Sequence, residues 1–458
     1  MAITAPPAGI FKAYDIRGVY GEELDAETAH LIGRAFARVL ARLRGKETSE
    51  LRVGLGRDMR LSGPEMAAGV RAGLVEEGVT VVDAGQIATE MSYFLVGSRE
   101  LDGGAMVTAS HNPKRYTGVK LMREGALALS DDAGIQDVRA EIEAGLPEPP
   151  GGGTVEEVDV YPDFHRHMLA VVDAGEISPL RILADGSDGM AGPMVGPLLD
   201  QLAVEVTTSR WEPNGDFPEA GPNPFLEENR RMLVEQVKGG AFDLAIAWDG
   251  DADRCFFIDG EGSFCDGDFV CALLARAALV KDPGATILYD PRSSRAVPDT
   301  VAAAGGRSDL SRVGHAFFKI RMREAGAVFG GEVSGHYYFR HFYCADSGTM
   351  PALLMLELIS REGRSLTDLM AEFRSKYFIS GEINSEVADQ RAKMDEIAER
   401  YADGEITHLD GVSVDYSDWH FNVRPSNTEP LLRLNLESLV SPEDMAAKRD
   451  EVLALIRS

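Results

Sequence analysis

Residues 248–254, WDGDADR, place three carboxylates, Asp249, Asp251 and Asp253, at alternate positions directly after an apolar run. Alternate residues of an extended segment share a face, so this spacing can aim all three at one hard, oxygen-seeking cation. A calcium hand fails on two positions. Its sixth residue would be Arg254 where the sharp turn needs glycine, and its twelfth would be Gly260 in place of a bidentate glutamate. A solvated acidic loop is the plain alternative, but unpaired acids packed this closely repel one another, and a bound metal explains them better.

A second stretch, 107–113 (VTASHNP), puts Ser110 after an apolar strand and before His111, Asn112 and Pro113, which favour a turn that exposes the hydroxyl. Serine is a weak nucleophile until neighbours activate or orient it, and a strand-ending turn explains this segment equally well. In 331–336 (GEVSGH), Glu332 and Ser334 stand two apart and could reach vicinal hydroxyls of one ligand, with VGH at 313–315 shortly before. A glycine-bounded hairpin is an equal reading. The stretch 424–430 (RPSNTEP) combines the Arg424 guanidinium, the Ser426 and Thr428 hydroxyls and the Asn427 amide on a proline-broken loop. With backbone N–H groups these suit the several acceptor oxygens of a phosphate, two of which an arginine can grip at once. A plain turn with Thr428 as a helix cap is the alternative. Near the start, FKAYDIRG (11–18) sets Tyr14 and Arg17 before a glycine turn, and Lys120 follows the Ser110 loop. Each of these cations, taken alone, reads as a surface charge.

The elements that must position these stretches follow an α/β alternation. Apolar groups at Leu31, Ile32, Ala35, Phe36, Val39, Leu40 and Leu43 mark one long amphipathic helix over 24–44. A strand at 52–56, a helix over 63–77 and strands at 80–83 and 104–108 continue a doubly wound layer. The stretch 146–154 (LPEPPGGGT) is the clearest linker. Strands at 181–184, 204–208 and 244–247 predict a second α/β unit. A third begins near Ile258, with a helix over 268–280 and strands at 286–289 and 327–329. After Met370, short strands at 383–387, 412–415, 420–423 and 431–436 lie between helices and predict a smaller α+β domain. At 458 residues the chain exceeds one ordinary core and divides into three or four domains.

Composition narrows the partners. A formal net charge of −28 argues against nucleic acid and anionic membranes, both polyanions. Apolar runs stop short of the roughly 20 residues a membrane span needs, and residues 1–7 show no signal peptide pattern. Four cysteines without a CxxC pair read as free buried thiols in a reducing cytoplasm. An anionic substrate would therefore need locally clustered cations, because the global field repels it.

In this order and spacing, FKAYDIRG, TASHNP, DGDADR, GEVSGH and RPSNTEP resemble the N-terminal, phosphoserine, metal, sugar and phosphate loops of the α-D-phosphohexomutases. The likeness runs from about residue 10 to 440. It implies a heart-shaped, four-domain α/β fold: three related α/β domains and a C-terminal TATA-binding-protein-like α+β domain, all contributing to one cleft. The corresponding segments are 1–150, 156–256, 257–370 and 371–458.

The resemblance also implies an isomerase that moves a phosphate between two hexose hydroxyls through phosphorylated Ser110 and a hexose 1,6-bisphosphate. Asp249, Asp251 and Asp253 would hold Mg2+ with the phosphoserine as a further ligand. Arg254 would be a neighbouring cation. Glu332 and Ser334 would hold sugar hydroxyls, and Arg424, Ser426, Asn427 and Thr428 the phosphate that stays. Tyr14, Arg17, His111, Lys120, Arg292, Gly314, His315 and His336 match other cleft positions, with Lys120 and His315 the candidates for proton transfer and His111 for orienting the serine loop. One ion joining serine and aspartates requires Ser110 within about 10 Å of all three.

Two departures stand out: Thr117 where the family often has Asn, and Arg292 where relatives commonly carry a lysine. A lysine that transferred protons could not be replaced by arginine, which stays protonated. Asn427, GEVSGHYYF followed by CADSG, and the loop 213–224 (PNGDFPEAGPNP) resemble the phosphomannomutase/phosphoglucomutase branch. That implies mannose phosphates as substrates, glucose phosphates second, in a cytoplasmic monomer or dimer. Phosphoglucosamine mutase and a non-catalytic phosphosugar-binding protein on the same scaffold are the alternatives.

Overall fold

Strands that lead into helices and return beside their predecessors build parallel sheets, and most of this chain is organised in that way. The computed structural model describes residues 6–130, 134–426 and 431–458. It divides into two units, one of residues 1–264 and 334–363, the other of 265–333 and 364–458.

In the first unit, strands Arg52–Arg57, Thr80–Gln86, Gly103–Val107 and Thr154–Glu157 are parallel, and Tyr116–Arg123 and Ile16–Val19 extend the sheet antiparallel. The 146–154 linker thus ends in a strand of the sheet it leaves. The expected amphipathic helix spans Ala26–Arg44. It starts where Asp25 accepts from the Thr28 N–H and ends on Gly45 in the left-handed conformation. It packs on helix Gly63–Glu76 at backbone contact: a Cβ on Gly33 would lie 2.3 Å from the Val70 carbonyl oxygen.

The second sheet of this unit runs Val204–Ser209, Leu180–Asp185, Leu244–Trp248, Cys255–Asp259, with the last strand antiparallel. Ile258 itself pairs with Ala245 and closes this second sheet, and helix Gly267–Lys281 follows it. Residues 249–254 join these two strands, too short a link for the crossover that a parallel neighbour would need. The segment 334–363 packs into the same unit, where the Gly348 carbonyl accepts from the fully buried Trp248 indole at 2.8 Å.

In the second unit, parallel strands Arg307–Leu310, Thr286–Tyr289 and Phe329–Gly331 accompany helices Gly267–Lys281, Ala296–Ala303 and His315–Ala325. A separate, wholly antiparallel sheet orders Glu405–Thr407, Val412–Asp415, Trp419–Pro425 and Leu431–Ser438, with Ile383–Glu386 also on the last. One face of that sheet is buried against helices Gln390–Arg400 and Pro442–Ile456, through Val414, Phe421, Leu434, Ile397 and Val452.

Candidate active site

Strand Gly103–Val107 ends one residue before Thr108, and the chain turns there because Thr108 Oγ1 accepts from the Ser110 N–H at 2.8 Å. Ser110 itself takes a left-handed backbone, φ 48°. Its Oγ donates to Asp249 Oδ2 at 2.9 Å and lies 3.1 Å from His111 Nδ1. The serine and the first aspartate are therefore in direct contact, well inside the range a shared ion demands. Burial, with Arg254 and Arg17 nearby, pushes His111 well below the ordinary imidazole range, so its ring stays neutral beside the serine.

The three aspartates behave as the alternation predicts. Each offers a carboxylate oxygen within 4.8 Å of the others, and all three are buried. Asp249 is gripped by Arg254, whose Nε and Nη2 donate to Oδ2 at 2.9 and 2.8 Å. Asp251 Oδ2 accepts from Thr89 Oγ1 at 2.5 Å, Lys120 Nζ at 2.8 Å and Thr108 Oγ1 at 3.1 Å. Lys120 also donates to Asp253 Oδ2 at 2.6 Å.

Burial alone would raise all three carboxyls. It prevails at Asp249, and at Asp253 with the added repulsion of Asp251, whereas Lys120 holds Asp251 below the usual carboxylate range. Burial alone would also lower Lys120, but Asp251 and Asp253 raise it, so it persists as ammonium.

Whether these residues fit a divalent cation is answered by two atoms. Asp251 Oδ1 and Asp253 Oδ1 are buried without a hydrogen-bond partner, an arrangement that costs free energy unless something electropositive faces them. Lys120 and Arg254 do not neutralise all three carboxylates, which is why Asp251 helps burial to raise Asp253, and a cation in place of that proton would relieve the same repulsion. The donor set is all oxygen, as magnesium prefers.

Around this centre, Arg17 donates to Asn112 Oδ1 at 3.0 Å and pairs with Asp15, and Tyr14 is half-buried ahead of strand Ile16–Val19. His336 Nε2 lies 3.8 Å from Asp253, and its Nδ1 lies 3.3 Å from Ser334 Oγ.

The second unit gathers arginines. Arg292 makes a bidentate pair with Asp290 at 2.9 and 2.8 Å and lies 3.7 Å from Glu332 and 4.0 Å from Glu382. Glu382 also accepts from Arg424 at 3.0 Å and Arg433 at 2.9 Å. Burial would raise Glu382, but these three arginines hold it below the usual range. Arg424 and Arg433 each keep a buried Nε without a partner, so the cluster retains donors for another anion. Glu332 Oε1 accepts from the N–H of Gly314, the residue that precedes helix His315–Ala325. Ser426 is buried at the end of strand Trp419–Pro425. Asn427 and Thr428 lie outside the described residues.

Sequence reasoning missed Thr89, Thr108, Glu382 and Arg433. Thr89 opens helix Thr89–Ser98, 162 positions from the aspartate it binds, and carries no local signal. Arg433 alternates with buried Leu432 and Leu434, a strand pattern that reads as ordinary.

Models of the phosphoglucomutase/phosphomannomutase α/β/α domains I, II and III match residues 8–147, 160–262 and 266–377, and the C-terminal domain model matches 382–455. Curated relatives include phosphohexose mutases of Xanthomonas campestris, 41% identical over 98% of this chain and 99% of theirs. A phosphomannomutase of Escherichia coli is 40% identical over 98% and 99%. The crystal structure of a phosphoglucomutase/phosphomannomutase family protein from Burkholderia thailandensis superposes with a TM-score of 0.88 at 31% identity, covering 98% of this chain and 97% of that one.

Proposed function

The chain belongs to the phosphoglucomutase/phosphomannomutase family and is a hexose phosphate mutase; from that premise we propose that it interconverts mannose 6-phosphate and mannose 1-phosphate through a phosphoryl group carried on Ser110, with glucose phosphates as second substrates. The observation that carries this reading is the Ser110 hydroxyl 2.9 Å from Asp249, in a group of three buried carboxylates of which two keep a bare oxygen. Full-length identity of about 40% to a phosphomannomutase supports the mannose preference.

The Ser110 P–Oγ bond breaks as a free hydroxyl of the sugar monophosphate bonds to phosphorus; the sugar hydroxyl gives up its proton and Ser110 Oγ takes one up, leaving a free serine and a hexose 1,6-bisphosphate. After reorientation, its other phosphoryl returns to Ser110. Asp249, Asp251 and Asp253, with an oxygen of the phosphoserine, would hold Mg2+, which when bound supplies Lewis-acid polarisation of the phosphoryl oxygens. Arg254 and Lys120 neutralise the developing charge from fixed positions. Lys120 is held as ammonium by two carboxylates, so the hydroxyl proton passes to His315, an imidazole being the side chain that ordinarily titrates near neutrality. His111 orients Ser110. The sugar-holding roles fall, on this reading, to Tyr14, Arg17, Arg292, Gly314, Glu332, Ser334 and His336.

Arg424, Ser426, Asn427 and Thr428 bind the phosphate that stays. They must accept either end of the hexose, which suits small donors around one arginine. Each of the four segments 1–150, 156–256, 257–370 and 371–458 supplies one of these loops. No helix among the described residues is long and apolar enough to cross a membrane.

The test is a panel of mannose, glucose and glucosamine 1-phosphates given to the purified protein with Mg2+ and catalytic bisphosphate. Mannose phosphate should turn over fastest, and phosphate should be recovered on Ser110. Preference for the glucosamine ester would reassign the substrate.

A further inference from the structure

The segment from Thr108 to Arg115, which leads into strand Tyr116–Arg123, must keep a left-handed Ser110 aimed at Asp249, yet no strand or helix holds it from within. A residue from outside the segment does so. Arg60, 2% exposed, donates through Nη2 to the carbonyls of Ser110 and Asn112, both at 2.6 Å. Its Nη1 donates to the carbonyls of Pro113 and Tyr116, both at 3.1 Å. One planar fork therefore spans the loop from the serine to its exit. The fork is itself fixed: fully buried Asp58 lies 3.3 Å from Arg60 Nε and accepts from the Arg60 N–H at 2.9 Å.

A cover lies over the same guanidinium. The Phe217 ring sits 5.5 Å from it, and Gly215 backs so closely onto the Met59–Leu61 turn that a Cβ there would fall 2.7 Å from the Met59 carbonyl oxygen. A few residues on, the Pro222 carbonyl accepts from the Gly250 N–H at 3.1 Å, between Asp249 and Asp251. The serine loop and the aspartate loop are thus braced through one arginine and its cover.

We propose that Arg60 is a positioning residue for phosphoryl transfer, an inference that rests on Ser110 being the phosphoryl carrier. All four of its carbonyl partners lie in the Ser110 loop or at its exit, so it acts on the serine's direction and not on substrate binding. Displacing a reacting group by about 1 Å can cost on the order of 100-fold in rate. A lysine carries the charge but only one donor point, and cannot span carbonyls of four residues.

The experiment compares Arg60→Lys and Arg60→Ala with the wild-type enzyme, each assayed at least 15 °C below its own melting temperature. Wild-type enzyme labelled with radioactive bisphosphate must carry phosphate on Ser110; a lack of label overturns the carrier reading itself. Given that label, Arg60→Lys should lose at least about tenfold in kcat with KM within about twofold. Arg60→Ala should lose about 100-fold and recover several-fold with millimolar guanidinium but not with methylammonium, since only the planar fork can reach the four carbonyls. A kcat for Arg60→Lys within twofold of wild type, or a fall expressed wholly in KM, would overturn the positioning role. If Arg60→Ala does not fold, the Lys variant alone decides.

Discussion

The two units solve opposite problems with the same kinds of side chain. Among the three aspartates, Arg254 clasps Asp249, Lys120 bridges Asp251 and Asp253, and the aspartate atoms left bare are carboxylate oxygens of Asp251 and Asp253. Around Glu382 the pattern is reversed. Three arginines there meet three carboxylates, Glu382, Asp290 and Glu332, but the atoms left bare are guanidinium nitrogens. The first arrangement is short of positive charge and calls for a cation. The second is balanced in charge but keeps two bare N–H donors that suit an anion. A chain with a net charge of −28 thus offers an anion clustered arginine donors, while its overall field stays repulsive.

The largest effect should come from breaking the first region at its reacting atom. Ser110→Ala removes the hydroxyl on Asp249 and should lower kcat by at least about a thousandfold, the scale expected when a covalent nucleophile is lost. Steady-state assays with pre-formed bisphosphate check it, and near-normal turnover would remove the phosphoserine scheme. Asp251→Asn comes next. It keeps the shape but halves the charge attraction for Lys120 and weakens any cation, so kcat should fall by about two orders of magnitude, partly restored by raising Mg2+ into the millimolar range. Activity indifferent to exhaustive chelation would count against the triad as a metal centre.

How much of this contrast was legible in the sequence depends on how local each part is. The aspartate triad was readable because its geometry is its spacing, and its contact with Ser110 was expected from the order of motifs. The clamp on Asp251 was only half readable. Lys120 follows the Ser110 loop in the same strand-turn unit, whereas Thr89 begins a helix buried on nearly every side, which shows no amphipathic stripe to announce it. The strand through Ile258 stays with the second sheet for a physical reason present in the chain: a connection of residues 249–254 can only return antiparallel. Glu382 was invisible because its meaning lies in three arginines spread over 142 positions, from Arg292 to Arg433.

The second region should respond in binding before rate. Arg424→Lys keeps the charge but loses the fork that holds Glu382 and leaves a nitrogen free for an incoming anion. KM for hexose phosphate should rise about tenfold, worth ~1.4 kcal/mol, with kcat within about threefold. Glu382→Gln removes the internal carboxylate and should make KM more sensitive to added inorganic phosphate, which then meets no competitor. If both variants lost kcat and kept KM, the division of labour between the two regions would fail.

The smallest effect concerns what braces the first region from behind. Glu90 follows Thr89, is fully buried, and accepts from Ser347 Oγ, from Thr349 Oγ1 at 2.5 Å and from the Thr349 N–H at 3.1 Å. Burial dominates and pushes its carboxyl up to about 8, although those three donors oppose the shift. The ordinary value, 4.5, applies once the chain unfolds. Below pH 4.5 both states hold the proton and this packing contributes fully. As pH climbs from 4.5 toward 8 the unfolded chain releases the proton while the native chain keeps it, so stability drains away by on the order of 1 kcal/mol per pH unit and is lost through pH 8. Calorimetry of the wild type should therefore show a melting temperature that falls between pH 5 and 8, and Glu90→Gln, which cannot ionise, should flatten that fall. Burial also raises Asp249 and Asp253, so part of the fall should persist in the Gln variant; a wholly unchanged slope would place the pH sensitivity elsewhere and leave Glu90 as a spectator behind the metal loop.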